Sequence, residues 1–275
     1  MRPWHIVGVG LGLLLACGGG SGSAGSGEGT DASDGASAND EADVTGSAPP
    51  PGPSAAGWEA GYADGGVRID CDQDLGAMQQ AGAPSLTIDD VTLVVGYEQI
   101  GNNQNPIVAR FDGEAMVWCA RHETEGPDGR ALGLTWDGGD VAYVVYTVVG
   151  GGSSLEGKGG WVPSYAPGSI SGGGPKVSYV GRVQAADGTL DAGSFIIAVK
   201  SDNTVNSHNP AGPPVVQPDG TVRFSGSSAH KPIDEGMVAM DCTDYPFDST
   251  YVLSADLSEM VCAECTQCVS QRPCS

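Results

Sequence analysis

Positive charge is what this chain has least of. Against 34 Asp and Glu it carries 12 Lys and Arg, for a formal net charge of -22. Such a chain has no basic patch to displace counterions from phosphate, which excludes nucleic acid as a partner. Aromatic residues amount to only 6%, and no stretch keeps a helical apolar period over three turns, which argues against a helical core. Histidine is scarce: beyond the N-terminus there are only His122, His208 and His230, well separated and each in polar loop sequence. Ser225–Ser228 forms no nucleophile elbow that would supply a triad with them. A long hydrophobic run is missing too, since the apolar stretch Ile6–Leu15 is too short for a stable transmembrane helix.

What that stretch does match is an export signal. Arg2 supplies a positive start, Ile6–Leu15 an apolar middle and Ala16 a small residue at the end. Leu14-Leu15-Ala16-Cys17 resembles the lipobox of bacterial lipoproteins, in which the Cys thiol receives diacylglycerol before cleavage on its N-terminal side. The resemblance implies that residues 1–16 are a signal peptide and that Cys17 is the acylated first residue of the mature protein. Acyl chains at about 0.8 kcal/mol per buried methylene would hold it stably in a membrane. Gly18, rather than a retention Asp, follows the Cys and points to the outer membrane, with the face left open. Residues 18–57 then contain no Lys, Arg or aromatic residue and consist mostly of Gly, Ser, Ala, Asp, Glu and Pro. Residues 17–57 therefore read as a lipidated Cys and a disordered acidic linker, spanning roughly 35 Å r.m.s. as a coil.

From Trp58 the pattern changes to short runs rich in Val, Ile, Thr, Tyr and Phe between Gly, Asp, Asn and Pro clusters, which predicts an all-β domain over 58–255. Leu75–Gln80 and Ala255–Val261 could each form one short helix. Three segments read alike as strand, Asp-containing turn, strand: Leu86–Gly96, Leu134–Val145 and Val216–Gly226. Each is followed by a second expected hairpin: Ile107–Arg110 with Met116–Ala120, Val177–Val183 with Phe195–Val199, and Met237–Met240 with Tyr251–Leu253. Two hairpins per unit make a propeller blade. The units resemble bacterial surface β-propeller repeats of the SBBP kind, through Thr92–Tyr97 and Ile107–Asp112. That resemblance implies a propeller-like array of antiparallel hairpins without catalytic residues. With about three visible units, a further one could hide in Trp58–Ala83, or the strands could close as a β-barrel or sandwich.

Residues 256–275 form a Cys-rich tail. Apart from Cys17, the chain has Cys71, Cys119, Cys242, Cys262, Cys265, Cys268 and Cys274. In an exported protein these are disulfide candidates, and seven leave one thiol over. The expected arrangement pins the tail to the body through Cys71, Cys119 or Cys242. The dense set Cys262, Cys265, Cys268 and Cys274 also admits a metal or redox reading. Asp70, Asp72 and Asp74 alternate like calcium ligands, yet Gly76 comes one place late and Ala81 stands where a bidentate Glu belongs. Calcium is the only cofactor they suggest. The loops Asp137–Asp140 and Asp241–Asp248 are comparably acidic. Gly152–Gly159 nearly spells a phosphate loop, but Gly159 replaces the magnesium-holding Ser or Thr and no helix start follows, so it reads as a flexible glycine loop. Trp136, Trp161, Tyr165 and Tyr179 could meet a carbohydrate or protein ligand, or simply pack the core. The reading is a lipid-anchored cell-envelope protein presenting a non-catalytic binding domain. Its rivals are an exported hydrolase using carboxylates at a propeller mouth and a metal or redox protein using the tail cysteines.

Overall fold

The computed structural model describes residues 54–124, 128–149, 154–165, 174–269 and 272–274. The expectations for the signal peptide, for Cys17 and for the linker up to residue 53 lie outside the described residues. Among the described residues the protein is all-β. Helix is confined to α1 (Leu75–Gln80), and no helix is long and apolar enough to cross a membrane.

Among the described residues three large antiparallel sheets succeed one another along the chain, with two small ones beside them, and none closes on itself. The first is a four-stranded meander of β2 (Ser85–Ile88), β3 (Val91–Ile100), β4 (Asn103–Asp112) and β5 (Ala115–Arg121), preceded in the chain by β1 (Glu59–Tyr62). Its three turns have two residues each, since Ile88 faces Val91, Ile100 faces Asn103 and Asp112 faces Ala115. Each turn opens on a positive φ, at Asp89, Gly101 and Gly113. That is the primed turn geometry whose twist matches the strands it joins.

The alternation of side chains decides what this sheet touches. Leu93, Val95 and Val108 face the main core, whereas Val94, Ile107, Ala109 and Phe111 face a smaller cluster with Ile69, Met78 and Ala83. Both faces are thus covered, which is why β3 and β4 read as near-continuous apolar runs. The cover on the outer face is α1, and Asp74 caps it by accepting a 2.7 Å hydrogen bond from the Ala77 amide. The Cys71–Cys119 disulfide fastens this covering segment to β5.

The second sheet is β6 (Asp128–Trp136), β7 (Val141–Val149), β8 (Lys176–Gln184) and β9 (Leu190–Ile196), with β1 added on the outer edge of β6. Residues 58–83 therefore contribute one strand and one helix, not the further unit that could have hidden there. The first sheet is tied to the second where Arg110 Nη1 and Trp118 Nε1 both donate to the Ala185 carbonyl, at 2.9 and 3.2 Å.

A small sheet follows, of β10 (Ala198–Val199), β11 (Val205–Asn206) and β15 (Lys231–Pro232). The third large sheet joins β12 (Asn209–Pro210), β13 (Val215–Val216), β14 (Val222–Ser228), β17 (Phe247–Leu253) and β18 (Met260–Cys265). Finally β16 (Asp241–Cys242) pairs with β19 (Cys268–Val269).

Two sequence expectations fail in the third unit. Met237–Met240 does not pair with Tyr251–Leu253; that place is taken by β18, with Tyr251 opposite Ala263. The reason is local. Asp234 accepts hydrogen bonds from the amides of Gly236 and Val238, and Met237 has a positive φ. Residues 233–239 are thereby curled into a tight turn closed by the Ile233–Ala239 bridge. Nor is Ala255–Val261 a helix. Asp256 accepts from the Ser258 amide and both flanking serine hydroxyls, and Leu257 takes a positive φ, so the segment is the β17–β18 turn.

A sulfur cluster as the candidate functional site

The seven cysteines of the described residues form three disulfides, Cys71–Cys119, Cys242–Cys268 and Cys262–Cys274, and leave Cys265 as a thiol. The count of three bonds and one thiol matches the arithmetic of the sequence, and the tail is tied to the body through Cys242. The set Cys262, Cys265, Cys268 and Cys274 does not assemble as a group, because Cys262 and Cys274 bind each other. Instead Cys242, Cys265 and Cys268 converge, their sulfurs within 4.8 Å of one another.

The strands explain the convergence. Cys242 and Cys268 stand directly opposite across β16 and β19. Cys265 ends β18, and the Thr266-Gln267 turn carries the chain back into β19, held by hydrogen bonds from the Thr266 amide to the Asp248 carbonyl and from the Thr243 amide to the Gln267 carbonyl. The turn brings Cys265 Sγ to 2.8 Å from Cys268 Sγ. Burial pushes the Cys265 thiol up from its ordinary value, and the Asp248 carboxylate adds to that, while backbone amides of the turn act against it. Fully reduced, the three sulfurs would offer a soft thiolate site; with Cys242 and Cys268 bonded, only Cys265 keeps its ligand capacity. No other three His, Cys, Asp or Glu among the described residues bring their ligand atoms this close. Asp70, Asp72 and Asp74 are not gathered, and Asp74 is occupied as the α1 cap.

The other singled-out residues prove to be structural. His122 and His208, which read as loop residues, are buried. His122 Nδ1 meets the Tyr146 hydroxyl at 2.7 Å and Nε2 meets the Gly188 carbonyl at 2.8 Å. Desolvation lowers the pKa of both rings, so each is neutral. His230 is partly buried and shifted the same way. Ser225 pairs with Thr250 across β14 and β17, and Ser228 donates to the His230 carbonyl. Trp136, Trp161, Tyr165 and Tyr179 are all core residues, with Tyr179 fully enclosed.

The described part of the glycine loop, Ser154–Gly159, is a packed turn and not a flexible one. Gly157 donates to the Pro163 carbonyl, Gly193 donates to the Lys158 carbonyl, and Trp161 donates to the Leu257 carbonyl. Gly160 lies so close to β9 that a Cβ there would sit 2.1 Å from the Gly193 carbonyl oxygen. Gly160 serves close backbone approach, whereas Gly157 and Gly159 take a positive φ in open space; sequence offers no cue that separates either use from flexibility. Among the described residues, the carboxylates of the loops Asp137–Asp140 and Asp241–Asp248 join no converging set of three ligands. No protein-family model matches the chain, and no curated protein matches it either.

Proposed function

We propose that the protein is a lipid-anchored cell-envelope component, held through Cys17 at an outer membrane, whose β-rich domain is a non-catalytic binding or interaction module. The observation that carries this reading is the trio of disulfides, a chemistry of exported proteins. It agrees with the export signal and the lipobox-like run at Cys17. Three successive antiparallel sheets support a propeller-like arrangement, which would present turns at one face to a carbohydrate or protein ligand. The burial of His122 and His208 in structural hydrogen bonds supports a binding rather than a catalytic role.

The test uses the full chain and its Cys17→Ser variant, each expressed in a lipoprotein-processing bacterium. Detergent-phase partitioning and the mass of the N-terminal peptide are measured on both. The wild type should partition with detergent and begin at an acylated Cys17, and the variant should move to the aqueous phase. A wild-type chain that stays aqueous with residues 1–16 uncleaved would overturn the reading.

A further inference from the structure

The leftover thiol is not placed at random. Cys265 lies against one sulfur of a formed disulfide, 2.8 Å from Cys268 Sγ, and the third sulfur, that of Cys242, is in the same cluster. We propose that Cys265, Cys268 and Cys242 form an internal thiol–disulfide exchange site. The Cys265 thiolate attacks Cys268 Sγ, the Cys265–Cys268 bond forms, the Cys242–Cys268 bond breaks, and Cys242 leaves as the thiolate. The step is self-balanced. One S–S bond replaces another, no oxidant or reductant is consumed, and the proton lost by Cys265 to solvent is regained from solvent at Cys242.

The topology prepares both end states. Cross-strand register places Cys242 opposite Cys268 in one. In the other, Cys265 and Cys268 share the Thr266-Gln267 turn in a Cys-x-x-Cys spacing, the short dithiol loop used by exchange-active proteins. The two states differ in what they fasten. The Cys242–Cys268 bond closes a separation of 26 residues and ties β16 to the tail, whereas a Cys265–Cys268 bond spans only a turn. Exchange therefore frees β16 from its covalent tie and leaves it held by its short ladder and the Thr243–Gln267 hydrogen bond. It also moves the free thiol from half-buried Cys265 to Cys242.

The experiment is a time course on the full, non-reduced chain at about pH 8.5, near the ordinary thiol pKa. Samples are quenched in acid, alkylated with N-ethylmaleimide in denaturant, and mapped as non-reduced peptides. The label should start on Cys265 and shift in part to Cys242, together with a Cys265–Cys268 peptide, until the ratio is constant. Label confined to Cys265 at all times would overturn the proposal. In Cys265→Ser no label should reach Cys242, and its appearance there would show bond opening without Cys265 and also overturn the proposal. Cys242→Ser should contain the Cys265–Cys268 bond and lose its alkylatable thiols; a folded variant that keeps both as thiols in air would contradict it. Should that variant not fold, the wild-type time course decides alone.

Discussion

The imidazole Nδ1 of His208 lies 2.8 Å from the hydroxyl of Ser178, with both residues sealed from solvent. Ser178 in turn donates to the His208 carbonyl, and Ser249 stands 3.1 Å from Nε2. One neutral tautomer satisfies every group: Nδ1–H donates to Ser178, and Nε2 accepts from Ser249. The ring thus joins β8 of the second sheet to β17 of the third, and burial favours its uncharged form.

Acid should therefore loosen the fold through this residue. Burial lowers the His208 pKa to about 3 in the folded protein, while the unfolded chain titrates near the ordinary value of about 6.5. Between those values the unfolded state binds the extra proton. Stability is full above about pH 6.5 and falls as pH drops toward about 3, with a loss of about 2 kcal/mol from this group at about pH 5. His122 is shifted in the same direction and adds to the trend. Urea denaturation of His208→Gln across this range should show a flatter pH dependence than the wild type. An unchanged slope would mean that His208 is not the source.

Gly193 should be intolerant of any side chain. A Cβ there would stand 1.9 Å from the Tyr179 hydroxyl, beneath the place where Gly160 meets the Gly193 carbonyl. Gly160 lets its segment lie flat on β9, and Gly193 leaves room for the Tyr179 ring. Gly193→Ala should destabilise by about 1–3 kcal/mol, the usual overpacking range, or more because the buried Tyr179 ring, held by its hydrogen bond to the Leu155 carbonyl, has little room to move away. Gly101→Ala, in a turn with open space around it, pays only for its positive φ and should cost about 1–2 kcal/mol. Chemical denaturation of the two variants checks the order.

Local signals in the sequence were readable wherever neighbouring residues decide the structure. The run Leu75–Gln80 is α1 to the residue, and the strand–turn–strand segments beginning at Leu86, Leu134 and Val216 are all hairpins. Cysteine parity foretold one leftover thiol. What it could not identify was the partner of each sulfur, because Cys242 meets Cys268 only after β16 and β19 have paired. The burial of His208 is hidden in the sequence for the same kind of reason. Ser207 and Asn209 flank it as in a polar loop, yet β12 pairs with β14 and carries the ring inward, beside Ser178. The short helix expected over Ala255–Val261 does not form, because the carboxylate of Asp256 captures the backbone and hydroxyls first.

That capture should be visible in titration. Asp256 accepts hydrogen bonds from the Ser254 and Ser258 hydroxyls and the Ser258 amide, which lower its pKa to about 2. These bonds favour the charged form, so their contribution is present above the ordinary carboxylate range and is lost as pH falls through about 2. NMR titration of the Asp256 carboxyl should give a value near 2, and the Ser254→Ala/Ser258→Ala variant should bring it back toward the ordinary range. A normal value in the wild type would show that the β17–β18 turn is not held in this way.

The disulfides should differ in what their loss does. Cys71–Cys119 closes a separation of 48 residues and Cys262–Cys274 one of 12. In the chain-entropy account, a longer closed loop removes more freedom from the unfolded state. The expected losses are about 4 kcal/mol for the first bond and about 3 kcal/mol for the second. Structure pushes the same way. Cys71–Cys119 fastens the segment carrying α1, which covers the outer face of the first sheet, so its removal also frees Met78 and Ile69 to leave Val94, Ile107 and Phe111. Cys71→Ser/Cys119→Ser should therefore lower the urea midpoint more than Cys262→Ser/Cys274→Ser and expose apolar surface to a hydrophobic dye before global unfolding. Equal midpoints and no early dye binding would show that α1 is held by packing alone. In that case the smaller cluster around Phe111 would have to be stable without its covalent tie.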